Sequence, residues 1–178
     1  MKELSLHLLD VVGNSVKAGA TLIGIDLLEE NDQLTMAIRD NGCGMSPELL
    51  AKVLDPFTTT RTTRRVGLGL PLLLQAAEMT GGTLGIQSAE GVGTKLTASF
   101  VTSHLDALPM GDLPATLQTL VQGAPEIDFD YRHLKDGRES LLDTRLIRAE
   151  LGPDIPLSEP EVLAWIYESV AESEAALG

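Results

Sequence analysis

Two alternating apolar runs constrain this chain more than any other feature. Ile23, Ile25 and Leu27 fall on one side of an extended strand, and Leu34, Met36 and Ile38 repeat the pattern. Between them stands Glu29-Glu30-Asn31-Asp32, a turn signal, so the segment predicts a β-hairpin ending at Arg39 or Asp40. Successive strand side chains point to opposite faces, so this aliphatic face needs a second layer to cover it. Helical spacing supplies candidates. Leu4, Leu8, Val11 and Val12 predict a helix over residues 4–18, stopped by Gly19, and residues 68–80 predict another, stopped by Gly81-Gly82. Ser46 as N-cap and Pro47 at the first position start a short helix that ends at Asp55-Pro56. Residues 83–88 and 94–101 read as two further strands around a turn at 89–93, and the aperiodic residues 57–66 read as a loop.

The character of the chain changes near residue 102. Residues 113–121 predict a helix, 127–133 and 139–143 a hairpin about Lys135-Asp136-Gly137, and 144–151 and 161–175 helical stretches. Residues 1–100 hold 8 Lys/Arg and 11 Asp/Glu, a balance of −3, whereas residues 101–178 hold 5 and 15, a balance of −10. That acidity argues against nucleic acid as a partner. It serves either solubility or a docking surface for a basic partner. A single cysteine excludes an internal disulfide and fits a cytoplasmic location, and no apolar run of roughly 18 residues offers a membrane span.

The chemistry concentrates in three glycine-bearing stretches and one helix. His7, Asp10, Asn14 and Lys17 recur every three or four residues, which places them on one helical stripe opposite the leucines. Asp40 opens Asp-Asn-Gly-Cys-Gly at a strand end, where a carboxylate can accept hydrogen bonds from an exocyclic amine. Gly42 and Gly44 permit positive φ and close approach of backbone to a flat ring. Gly67-Leu68-Gly69-Leu70 opens a long helix, whose first N–H groups suit an anion, and Gly91-Val92-Gly93-Thr94 leads into a strand. A Walker-type phosphate loop is absent from the sequence.

These boxes, in this order over residues 3–101, resemble the ATP-binding domain of the histidine-kinase-like ATPases, the GHKL superfamily. Sensor histidine kinases and anti-sigma-factor serine kinases match the pattern best. The resemblance implies an α+β fold of the Bergerat type, a two-layer α/β sandwich with a mixed sheet and helices on one face. Residues 1–101 form that domain and residues 102–178 an acidic α-β-β-α annex. It implies ATP and Mg²⁺ as cofactors. Asn14 corresponds to the magnesium ligand, Asp10 to the position of a general base (a glutamate in some branches), and Lys17 to a basic position facing the phosphates. Asp40 corresponds to the aspartate that reads the adenine amine, Gly42 and Gly44 to the glycines beside the base, and Thr94 to the threonine that helps bind adenine. Residues 55–61, Asp-Pro-Phe-Thr-Thr-Thr-Arg, resemble the phenylalanine box. Residues 58–66 then form the ATP lid, in which Thr60, Arg61, Arg64 and Arg65 meet the triphosphate, with Arg61 stabilising the transferring group. Gly67, Leu68, Gly69 and Leu70 hold the phosphates.

Departures from the sensor-kinase pattern shape the expected function. The start of the first helix at residue 4 leads to the expectation of no phospho-accepting histidine helix before it, and His7, His104 and His133 lack that histidine's surroundings. The strand that usually precedes the first helix is also missing, so the sheet is smaller, open at one edge, or completed by the annex or a second chain. Two functions fit: a stand-alone ATP-dependent protein kinase acting on a separate protein, or an ATP-responsive module that docks through the annex with little turnover. The partner is an unidentified protein, and a homodimer is compatible with the pattern.

Overall fold

The computed structural model describes residues 2–55 and 69–178. Its elements run α1 Leu4–Lys17, β1 Leu22–Glu30, β2 Gln33–Asp40, α2 Pro47–Lys52, α3 Gly69–Met79, β3 Leu84–Ala89 and β4 Gly93–Val101. The acidic part continues with α4 Leu113–Gly123, β5 Asp128–Lys135, β6 Arg138–Asp143, α5 Thr144–Leu151 and α6 Pro160–Leu177.

The fold is α+β, with a mixed six-stranded sheet ordered β3-β4-β2-β1-β5-β6. Every pairing is antiparallel except β1 with β5. The hairpin of β1 and β2 turns at Asn31 and Asp32, both at positive φ, and the β5–β6 hairpin turns at Asp136 and Gly137 in the same way. Two such residues in succession give the turn twist that matches paired strands. Of the possibilities left for the missing strand, the structure shows β5 beside β1: Leu22 to Glu29 pair in parallel with Asp128 to Lys135. The sheet therefore runs without a break across the point where the sequence becomes acidic.

Register explains the core. Ile86, Leu96, Ile38, Ile25, Tyr131 and Leu142 form one row across all six strands. Helices α1, α3, α4 and α6 cover this face with Leu8, Val12, Leu73, Leu117 and Ile166, all at most 0% exposed. The alternate residues carry charge on the other face, where Arg39 meets Asp26 at 2.7 Å. The next row inward ends differently: Leu27 pairs with His133, and His133 with Ser140, so a buried histidine occupies a position the alternation reserves for the core.

Candidate functional site

Polar groups converge at one place on the helix-covered face. The last residue of β2, Asp40, pairs with Ile23 on β1 and with Thr94 on β4, and Thr94 pairs with Ser88 on β3. Val11, Asn14 and Ser15 of α1 line the same cavity as Asp40, Gly44, Leu70 and Thr94. The remaining walls include Ile38, Met45, Val53, Ile86 and Leu96, so an apolar slot surrounds a few fixed polar groups. A wider apolar groove lies between α5 and α6, but it gathers no such polar set.

Asp40 is held from two sides. Ser15 donates its hydroxyl to Oδ2 at 2.5 Å, and the Gly42 backbone N–H donates to Oδ1 at 2.9 Å. An ionised carboxylate has about four acceptor sites, so each oxygen keeps capacity toward the cavity. Next along the chain, Asn41 accepts from the Thr21 and Leu22 N–H groups at 2.8 and 3.1 Å, which ties the loop to the start of β1. Cys43 N–H donates to Ala18 at the end of α1 at 2.9 Å, and its carbonyl accepts from Gly91 at 2.7 Å. Met45 N–H donates to Ser88 Oγ at 2.8 Å, and Ser88 shares a 2.8 Å hydrogen bond with Thr94.

The glycines are explained first by this seam. Gly44 has φ +70°, and a Cβ there would stand 2.0 Å from the Ala89 carbonyl oxygen. A Cβ on Gly42 would meet Ala18 at 2.8 Å. Both positions thus let the loop lie against α1 and the β3–β4 turn, and Gly44 also lines the cavity.

On α1, Asp10 and Asn14 stand one turn apart. The Asp10 carboxylate occupies the space a side chain on Gly69 would fill, with Oδ2 2.0 Å from the ideal Cβ, so a larger residue there would have to displace the Asp10 side chain. Asn14 Nδ2 is buried with no hydrogen-bond partner among the described residues. A buried amide left unpaired is costly, and it marks a place where a ligand atom can be received. Rotation about the amide carries its oxygen to the same place, which suits a hard cation. The donor set thus fits a magnesium nucleotide through Asn14. Among the described residues no group of three or more His, Cys, Asp and Glu could hold a metal. Lys17, a turn further on, is exposed and does not line the cavity.

His7 departs from its expected place on a polar stripe: it is 3% exposed, and its Nδ1 has no partner among the described residues. The reason is that α1 packs on α3 and α4 as well as on the sheet, so its buried arc is wider than the leucines alone indicate. Burial, then the N-terminal charge, lowers the His7 pKa, against the pull of Asp10. Thr60, Arg61, Arg64, Arg65, Gly67 and Leu68, like Phe57, lie outside the described residues. Two contributors escaped the sequence reading, Ser15 and Ser88. Ser15 follows Asn14 on the buried face of α1, and Ser88 stands opposite Thr94 in the strand register, which was the signal for it.

The family model described as histidine kinase-, DNA gyrase B- and HSP90-like ATPase matches residues 2–104. An uncharacterized sensor-like histidine kinase of Rhizobium meliloti is 30% identical over 120 residues, covering 62% of this chain and 23% of its own. Sensor histidine kinase WalK of Bacillus subtilis is 30% identical over 97 residues, covering 49% of this chain and 16% of its own. The chain therefore spans under a quarter of the length of these relatives. Among solved structures, the N-terminal domain of a DNA repair protein aligns with a TM-score of 0.53 at 16% identity, over 80% of this chain and 53% of that one. The likeness is one of fold.

Proposed function

Because this chain belongs to the histidine kinase-, DNA gyrase B- and HSP90-like ATPase family, we propose that the cavity between α1 and the ends of β2, β3 and β4 binds ATP with Mg²⁺ in support of phosphoryl transfer to a protein partner. The observation that carries this reading is the clamped carboxylate of Asp40, set in an otherwise apolar slot one helix away from an unpaired Asn14 amide. Asp40 accepts the adenine amine, and Ser15 and Gly42 hold its oxygens so that the acceptor direction is fixed in advance. Guanine has no amine at that ring position and is refused. Val11, Ile38, Met45 and Leu96 bury the faces and edges of the base. The Thr94–Ser88 hydroxyl pair supplies a donor beside it.

Asn14 would hold the magnesium ion, which supplies charge neutralisation at the phosphates when bound. Asp10, one turn nearer the N-terminus and seated over Gly69, orients the acceptor hydroxyl or water and takes its proton. Arg61 and Arg64, outside the described residues, are assigned to the transferring phosphoryl group on the resemblance alone.

Titration calorimetry with ATP and Mg²⁺ tests the binding, and labelled ATP incubated with the protein and candidate partners tests transfer. ATP binding that exceeds GTP binding, with transfer abolished in Asp10→Asn and Asn14→Ala, is expected. Binding without transfer or phosphate release makes the protein a nucleotide-gated docking module instead. Absence of binding at millimolar ATP and Mg²⁺ removes the proposal.

A further inference from the structure

Helices α5 and α6 leave an open groove of about 430 Å³ between them, lined by Leu146, Ile147, Leu151, Val162 and Trp165, with Glu150 and Glu161 beside these. Leu146 is 68% exposed and Trp165 54%. Large apolar side chains are seldom left so bare together unless something covers them. The groove shares no residue with the nucleotide cavity.

Its shape favours a helix as occupant. Leu146, Ile147, Glu150 and Leu151 on α5, and Glu161, Val162 and Trp165 on α6, repeat at one-turn spacing, so each wall is a helical ridge. A third helix packs between two such ridges by setting its own apolar row in the furrow.

Its charge selects that helix. Residues 149–178 contain no Lys or Arg. Glu150, Asp154, Glu159, Glu161, Glu168 and Glu172 make no ion pair among the described residues. The two arginines of α5 are engaged at the sheet: Arg145 with Asp143 at 2.9 Å and Arg148 with Asp128 at 2.7 Å. The groove thus has an apolar floor with two carboxylates outside any ion pair, Glu150 and Glu161, at its rim, in a stretch of chain whose other charges are also acidic. A second copy of this chain brings the same negative charge to the contact and is disfavoured.

We propose that this groove docks a basic amphipathic helix of a partner protein, whose apolar ridge covers Leu146 and Trp165 while its Lys and Arg residues meet the acidic rim. The occupancy is independent of the nucleotide reading and stands if that reading fails.

Trp165 is the sole tryptophan of the chain and reports directly on the groove. The full chain is titrated with a synthetic 18-residue Leu/Lys amphipathic peptide, a scrambled peptide of the same composition, and a Leu/Glu counterpart. The expected result is a blue shift of Trp165 emission, saturating at micromolar Leu/Lys peptide. The scrambled and Leu/Glu peptides should bind at least roughly tenfold more weakly, and added salt should weaken the Leu/Lys complex. Leu146→Ser, on an exposed position that folding does not need, should weaken binding by about tenfold while leaving the circular dichroism spectrum unchanged. Glu161→Gln with Glu150→Gln should reduce affinity and flatten its salt dependence. Equal binding of the scrambled peptide, or binding indifferent to Leu146→Ser, overturns the proposal. So does a concentration-dependent blue shift of the protein alone with dimer mass by light scattering, which assigns the groove to a second copy.

Discussion

Raising the pH from 6 to above 9 should cost this protein about 3 kcal/mol of stability, because a protonated histidine joins its two parts. His133 on β5 has a side chain only 5% exposed. Its Nδ1 lies 2.7 Å from Glu174 Oε2 on α6, and its Nε2 lies 2.8 Å from Glu29 Oε1 on β1. Tyr131 donates its hydroxyl to the other oxygen of Glu174. Burial opposes the charge on His133, but the bonds to Glu174 and Glu29 outweigh it and push the pKa up from 6.5 to about 9. A folded value above the unfolded one means that the contribution is whole below pH 6.5 and disappears as the pH rises through about 9. The gap between those values, at about 1.36 kcal/mol per pH unit, gives about 3 kcal/mol. The carboxylates act at the other end. The bond from His133 lowers Glu29, and in Glu174 burial is overcome by the bonds from His133 and Tyr131. Their share is present above pH 4.5 and is lost as the pH falls through their lowered values. These are one set of contacts viewed from both partners, so the two contributions are not summed. Urea unfolding followed by Trp165 fluorescence from pH 4 to 10 should show greatest stability between about pH 5 and 6.5. His133→Phe keeps the bulk but leaves two inward carboxylates without their cation. It should be destabilised by a similar amount or more at pH 7, and should gain stability toward acid. A flat wild-type profile between pH 6 and 9.5, or a variant with the wild-type slope, rules out a protonated His133 as the source of this stability.

Asp40→Asn should weaken ATP binding by roughly 10- to 100-fold in calorimetry, and Ser15→Ala by less, since it frees rather than removes the acceptor. Gly44→Ala should lower the melting temperature by several degrees, because the new methyl meets the Ala89 carbonyl at 2.0 Å, whereas Gly91→Ala meets nothing within 4 Å and should cost only about 1–2 kcal/mol for its φ of +75°. Thr144 Oγ1 accepts from Phe129 N–H at 2.9 Å and donates to Asp128 at 2.9 Å. Thr144→Val therefore strands a buried donor and should cost about 1–3 kcal/mol in chemical denaturation.

The local structure was largely written in the sequence. Period-two and helical spacing placed β1, β2, β5 and β6 and the helices α1, α4, α5 and α6. Ser46 caps α2 as expected, accepting from Leu49 N–H at 3.2 Å. Asp40, Asn14, Gly44, Leu70 and Thr94 come together at one cavity. What the chain could not disclose is which strand lies beside which. Alternation states that a strand has an inner face and says nothing of its neighbour, so completion of the sheet by the annex stayed one possibility among several, and the parallel seat of β5 against β1 was not legible. His133 shows the same limit: its inward place follows from the alternation of Phe129 and Tyr131, but its charge depends on Glu29 and Glu174, 104 and 41 residues away. Ser15 is not legible as a site residue because nothing local marks it as the partner of Asp40, 25 residues on.

The parallel pairing of β1 with β5 also orders events during synthesis. β1 is complete at Glu30, yet the strand that covers its outer side ends at Lys135, about 100 residues later. At roughly 5–20 residues per second that is a wait of about 5–20 s. Throughout it, those backbone donors and acceptors between Leu22 and Glu29 that face away from β2 lack their final partners, as they do in any fragment cut after Val101. A nascent chain of this design needs either prompt completion or a chaperone at that ribbon, and a shortened version is expected to aggregate along it.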